Sequence, residues 1–233
     1  DTGFSDVRMP LWEKSHDIRS SEELETEDVS AGKLDSYYEN IRDYFDRVES
    51  EPFILDVEDA AMDIGIGTFW KDARIKFNYE PEEEIYEPVV ESRAMSTQPT
   101  PEEEIAVHGF YIGRLLYAQQ NQEDLLDIEK TNRNRYAAMH NGVDTKLYDL
   151  EGNLRNKQEV LEEELAKAEK GLNLAGVDQS YSDEGYEVFM DILYERLDKG
   201  VPSDLMAKKK KKSIEQGLGR KEALMKGLKN TGI

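Results

Sequence analysis

Cysteine is absent from the 233 residues. The chain therefore has no disulfide framework and no thiolate metal site, which fits a reducing compartment. Histidine occurs three times, as His16, His108 and His140. These are far apart and never form H-E-x-x-H, so structural or exposed imidazoles are the plain account. Glu104 and His108 stand four apart, not at the E-x-x-H spacing of two-metal bundles. No apolar run approaches the roughly 20 residues of a membrane-spanning helix, and no membrane partner is expected. The phosphate loop G-x-x-x-x-G-K-S/T, the nucleophile elbow G-x-S-x-G, a strand-flanked G-x-G-x-x-G and the EF-hand loop are all missing. No catalytic, cofactor-binding or metal residue is nominated, and the expectation is a protein that is not an enzyme. Asp56, Asp59 and Asp63 would share one face of a helix and attract a cation. An enzyme with an unrecognised acidic metal site is thus kept as an alternative.

Positive charge is scarce too. Lys and Arg number 30 against 51 Asp and Glu, a formal net charge of -21. The scarcity is uneven. Residues 201–233 hold nine Lys or Arg against three acids, while residues 1–200 hold 21 against 48. An acidic body carries a basic tail, and the centre of that tail is Ala207–Lys212 (AKKKKK). Such a body is soluble and repels nucleic acid over most of its surface. Contact with DNA or RNA would have to use the tail. The candidate basic residues are Lys208, Lys209, Lys210, Lys211, Lys212, Arg220 and Lys221. They would bind phosphate backbones, be read by a nuclear import receptor, or lie on an acidic partner. A solvated tail is the plain alternative.

The pattern predicts a mainly α fold: long antiparallel helices, a small β element, an extended N-terminal arm and a basic C-terminal tail. Residues 1–29 read as the arm, with the acidic run SEELETED at 21–28 and Leu11 and Trp12 as anchors. Residues 30–95 read as an amphipathic helix followed by a small mixed segment. The spacing predicts a helix over 31–50, capped by Ser30. Its stripe of Leu34, Tyr37, Tyr38, Ile41, Tyr44 and Phe45 recurs at three and four, and reads as core or as a face for docking a partner protein. Val57–Ile64 reads as a short helix. Ala73–Tyr79 alternates like a strand, Ile85–Val90 is a weaker strand because of Pro88, and the two suggest a hairpin.

Residues 100–200 read as a helical domain. Thr100, Pro101 and Glu103 make a strong helix start, and a long helix is predicted over 100–141. Gly109 and Gly113, four apart, would let another element approach closely. A second helix is predicted over 146–173 from the spacing of Leu147, Leu150, Leu154, Leu161, Leu165 and Leu172, antiparallel to the first. A third is predicted from Asp183 to Asp198, capped by Ser182 and ended by Gly200 and Pro202. The tail 201–233 has helical spacing diluted by glycine. Its Gln216–Arg220 (QGLGR) is similar to the glycine-patch segments that clamp RNA helicases, which gives an alternative function: a nucleic-acid or helicase-associated adaptor working through the tail.

The acidic body, the lack of a catalytic motif, a first residue Asp1 consistent with removal of a transit peptide, and the run Met206–Lys229 (MAKKKKKSIEQGLGRKEALMKGLK) together resemble the small acidic accessory proteins of the plastid transcriptionally active chromosome. Those proteins associate with the plastid-encoded RNA polymerase of plants, and some carry a basic run like a nuclear-localisation signal. The specific part covers about 205–229. The resemblance implies a non-catalytic subunit required for assembly or regulation of that polymerase. It implies a place in the chloroplast stroma or nucleoid, with the nucleus as a second location. Its partners would be the protein subunits of a large complex, with DNA or RNA touched through the tail.

Overall fold

The computed structural model describes residues 34, 36–50, 72–80, 85–142, 145–176 and 187–229. The expected arm 1–29, the Ser30 and Ser182 caps, and the Val57–Ile64 helix with Asp56, Asp59 and Asp63 lie outside those residues. Among the described residues the chain is mainly helical, with seven helices and two antiparallel two-stranded ribbons. It divides into two compact units. One comprises 1–96 with 127–142, the other 97–126 with 143–233.

In the first unit, helix α1 is Ile41–Ser50, shorter than the predicted 31–50. Asn40 sets its start: the Asn40 side-chain oxygen accepts from the backbone N–H of Arg42 at 2.9 Å and of Asp43 at 3.1 Å, which satisfies two orphan donors of the first turn. Leu34, Tyr37 and Tyr38 precede the helix and do not extend its stripe. Strands β1 (Ala73–Glu80) and β2 (Ile85–Ser92) form the expected hairpin, with Pro88 opposite Phe77. Each strand of a two-stranded ribbon has a free edge, where a residue lacking N–H is tolerated. Tyr44 and Val48 of α1 are buried. Tyr38 and Phe45 meet the Tyr44 ring edge-on at 5.2 and 5.3 Å, and Phe45 stacks on Phe77 of β1 at 5.7 Å. Tyr44 is the buried centre of this group, with Tyr38 and Phe45 half-buried and Phe77 still 42% exposed. Arg74 donates to both oxygens of Glu91 at 3.1 Å and Arg93 to one at 3.2 Å. The Arg74 hydrogen bonds hold the Glu91 carboxyl below the usual range.

Helix α2 is Pro101–Asn121 and α3 is Ile128–Asn141, so the single helix expected over 100–141 is two. The break lies at Gln122, which takes a left-handed conformation (φ 49°), and Asp127 then caps α3 by accepting from the N–H of Glu129 and Lys130. The polar stretch Asn121–Asp127 favours such local bonds over helix continuation. Helix α3 belongs to the first unit. Its buried Asn132 accepts from the Leu34 N–H at 3.1 Å and donates to the Leu34 carbonyl at 2.6 Å, pairing an irregular segment as a strand would. Arg135 of α3 donates two hydrogen bonds to Asp72, at 2.6 and 3.0 Å.

In the second unit, Thr100 and Glu103 form the predicted capping box of α2. The helix predicted over 146–173 begins only at Lys157. Strands β3 (Lys146–Tyr148) and β4 (Leu154–Asn156) precede helix α4 (Lys157–Leu174). The turn chemistry of Asp149–Asn153 outweighs the leucine spacing. The buried Asp149 carboxylate accepts from the Asn153 N–H at 2.7 Å, and Gly152 N–H donates to the Asp149 carbonyl at 2.9 Å. Asn156 then caps α4 through the Gln158 N–H. Helix α5 is Glu187–Lys199, and Gly200 N–H closes it on the Arg196 carbonyl. Leu165, Ala168, Leu172 and Met190 are the buried cluster where α4 meets α5, with Phe110 of α2 packed against it.

Helices α2 and α4 cross with backbone against backbone. A Cβ added to Gly171 would fall on the Gly113 carbonyl oxygen, and one added to Gly113 would fall on the Ala168 carbonyl oxygen. Gly109, the other half of the expected pair, has nothing within 4 Å. Around the crossing, Arg114 binds Glu123 and Glu164, and Lys167 lies 3.3 Å from Glu123 and 2.8 Å from Glu164. Gly171→Ala is expected to destabilise the protein by at least about 3 kcal/mol, since backbone cannot yield as a side chain does. Gly109→Ala should instead add about 0.5–1 kcal/mol by helix propensity. Chemical denaturation of the two variants checks this, and equal effects would refute the crossing.

The Tyr194 hydroxyl of α5 donates to Glu169 of α4 at 3.1 Å. Burial, then the Glu169 charge, push its pKa up to about 12. A phenol whose folded pKa lies above its unfolded value near 10 contributes stability that is fully present below pH 10 and lost as pH rises towards 12. Wild-type stability should fall across that window, and Tyr194→Phe should remove part of that slope in pH-dependent denaturation, the rest coming from groups such as Tyr44, whose pKa burial also raises.

Candidate nucleic-acid interface

The basic tail is a pair of helices. Pro202 opens α6 (Pro202–Glu215) at a position where its missing N–H costs nothing. Helix α7 is Arg220–Lys229. Between them, Gly217 at φ 90° donates to the Ile214 carbonyl at 2.9 Å, and Leu218 donates to the Ser213 carbonyl at 3.1 Å. Those two bonds are the Schellman closure of a helix end, which needs the left-handed conformation glycine supplies. Gly219 then offers its carbonyl to the Ala223 N–H at 2.9 Å. The glycines of QGLGR are thereby accounted for as a turn. Among the described side chains of the two helices, Ser213 and Ala223 are buried, and α6 and α7 pack chiefly on each other.

All five lysines of the run lie within α6. Lys208, Lys209, Lys211 and Lys212 are exposed and Lys210 is half-buried, while Arg220, Lys221 and Lys226 on α7 are exposed. Lys208, Lys210, Lys211, Lys212, Arg220, Lys221 and Lys226 form no ion pair among the described residues. Asp204 and Glu215, four residues from Lys208 and Lys211, close no bridge with them. Lysine, a flexible point charge, suits contact with phosphate oxygens and lacks the fork that arginine uses to grip a base edge.

The other nominated residues separate. Leu34, Tyr37 and Tyr38 lie before α1, with Tyr37 hydroxyl 2.8 Å from the Thr131 hydroxyl. Tyr44 and Phe45 are occupied within the first unit. Of the six docking candidates, Ile41 is the most open, at 47% exposure. Sequence reasoning missed a different apolar face. On α2, Ile105, Ile112 and Leu115 are 50%, 49% and 52% exposed, and share the side away from Ala106 and Gly113. The signal was present: these residues fall at i, i+7 and i+10, one stripe of a helix whose other stripe is built of small residues.

His108 lies 3.6 Å from Glu104 on the exposed side of α2, and His140 is exposed; His16 lies outside the described residues. No three His, Asp or Glu side chains converge to hold a metal ion among the described residues. No described helix is long and apolar enough to cross a membrane. No protein-family model matches the chain, and no curated protein matches it.

Placing a charge at the zero-exposure site of Ala223 should part the two helices, because a buried unpaired carboxylate is strongly unfavourable. Ala223→Glu is expected to speed tryptic cleavage at Lys208–Lys212 at least about fivefold by local opening. Unchanged protection would show that the pairing of α6 with α7 does not hold the run in place.

Proposed function

We propose that the protein is a non-catalytic subunit of a larger transcription-related assembly, and that its α6–α7 hairpin holds nucleic acid by the phosphate backbone. The observation that carries this is the hairpin itself: seven cations without ion-pair partners among the described residues, on ordered helices, in a chain of net charge -21. Many of the body's cations are used otherwise, although Arg42, Arg133, Lys146, Lys157 and Lys170 also form no ion pair among the described residues. Arg74, Arg114, Arg135, Arg155 and Arg196 each sit on a carboxylate. The half-exposed Ile105, Ile112 and Leu115 of α2 support the assembly half of the reading, since exposed apolar residues aligned on one side of a helix suit a protein contact. The plastid-encoded RNA polymerase as the assembly, and the chloroplast as the compartment, rest on the resemblance carried by 205–229.

Two measurements test the proposal. Replacing Lys208 to Lys212 by alanine should lower affinity for nucleic acid at least about a hundredfold near physiological salt and flatten the plot of log K against log salt by about three units or more. An unchanged slope would reject the hairpin. Affinity purification of the tagged protein from its native source should recover RNA polymerase subunits in fixed stoichiometry. Recovery of a monodisperse protein alone would sink the assembly reading.

A further inference from the structure

We infer that the hairpin meets double-stranded nucleic acid through one oriented face of α6, formed by Lys208, Lys211 and Lys212, and that it does so without reading bases. This rests on the backbone-binding reading above and makes it specific. Ser213 marks the buried side of α6. At about 100° per residue, Lys211, Lys208 and Lys212 lie roughly 160°, 140° and 100° from Ser213. They share the outward side. Lys209 and Lys210 lie only about 40° and 60° from Ser213, on the flanks of the packed side, and Lys210 is the least exposed of the five. Five consecutive lysines thus divide into a face of three and a flank of two.

Three features select a duplex. Residues 201–233 contain no Phe, Tyr, Trp or His, so the hairpin has none of the aromatic platforms on which proteins stack the bases of single strands. They contain one arginine, Arg220, and hence little capacity for bidentate contacts to base edges. The lysines stand on a helix of 14 residues, about 21 Å long. That fixed array suits the dense charge of a duplex, about one phosphate per 1.7 Å of axis. Asp204 and Glu215 stand on the same outward side as the three lysines and limit its strength.

The test uses the full chain, a 20-base-pair DNA duplex and a single strand with the same number of phosphates, read by fluorescence anisotropy across salt. Two variants remove equal charge and introduce the same good helix former. K208A/K212A should weaken duplex binding about tenfold and reduce the salt slope by about two, one per lost phosphate contact. K209A/K210A should weaken it less than about threefold, and Glu215→Gln should strengthen it about twofold. The single strand should bind at least about fivefold more weakly than the duplex. Equal losses in the two double variants overturn the oriented face. A single strand bound as tightly as the duplex overturns the duplex preference, as does preferential binding of vesicles containing anionic lipid. Absence of binding to every nucleic acid at low salt defeats the backbone-binding reading itself.

Discussion

The second unit depends on one contact: the approach of the α2 backbone to the α4 backbone at Gly113 and Gly171. Where a side chain would stand, each helix meets a carbonyl oxygen of the other. Two helices this close leave little room at the crossing: Ala106 and Ala168 are small buried residues, and the Leu172 side chain fills the space beside Gly113. The larger side chains lie to one side, where Leu165, Leu172 and Phe110 meet Met190 of α5. The crossing also sets the electrostatics. Arg114, one residue beyond Gly113, reaches Glu164 of α4 and Glu123 just past the end of α2, and Lys167 closes the same group from α4. The two half-buried cations are each stabilised by a carboxylate beside them. Burial alone would lower the pKa of both cations; the carboxylates beside them reverse the direction.

The same close approach explains why α2 has a second, unused face. A helix packed through glycine and alanine buries little apolar area per turn. Its large residues have to go elsewhere, and Ile105, Ile112 and Leu115 point away from the crossing. The first unit solves its packing in the opposite way, with rings rather than small residues. Tyr38, Tyr44, Phe45 and Phe77 build a wedge between α1 and the β1–β2 hairpin.

How much of this could be read from sequence follows the range of each interaction. The capping box at Thr100, the hairpin of β1 and β2, and the stop at Gly200 were legible because a few neighbouring residues decide them. The α1 stripe was legible as apolar but not as a boundary: Asn40 takes the cap, and the aromatic spacing runs on through residues outside the helix. Two helices were drawn too long. At Gln122 the chain turns through a left-handed residue of ordinary composition, which no residue type announces. At Asp149–Asn153 the signal was there, and the leucine spacing drowned it. Gly113 was legible as a point of approach, but nothing local marked Gly171 as its partner. Which two glycines meet is a fact of tertiary packing. The lysine run was obvious; its division into a face and a flank required Ser213 to be known as buried.

Charge is segregated in this chain by commitment as much as by count. The body carries 21 Lys and Arg, and its well-placed arginines are bound to carboxylates: Arg135 on Asp72, Arg155 on Glu163, Arg196 on Glu103. A cation so paired presents little field to an approaching polyanion. The hairpin lysines have few acids near them in sequence, and Lys208 and Lys211 close no bridge even with Asp204 and Glu215, four residues away. Repulsion from the acidic body and attraction from the hairpin act over the same Debye length, about 8 Å at physiological salt. On the proposed reading, a nucleic acid would gain by touching α6 and α7 and lose by contacting the rest of the surface. Salt screens both, so the body cannot become an alternative site as ionic strength changes. If the proposal holds, the consequence is orientation: a duplex would be held at the hairpin, leaving the acidic surface and the α2 stripe to other partners.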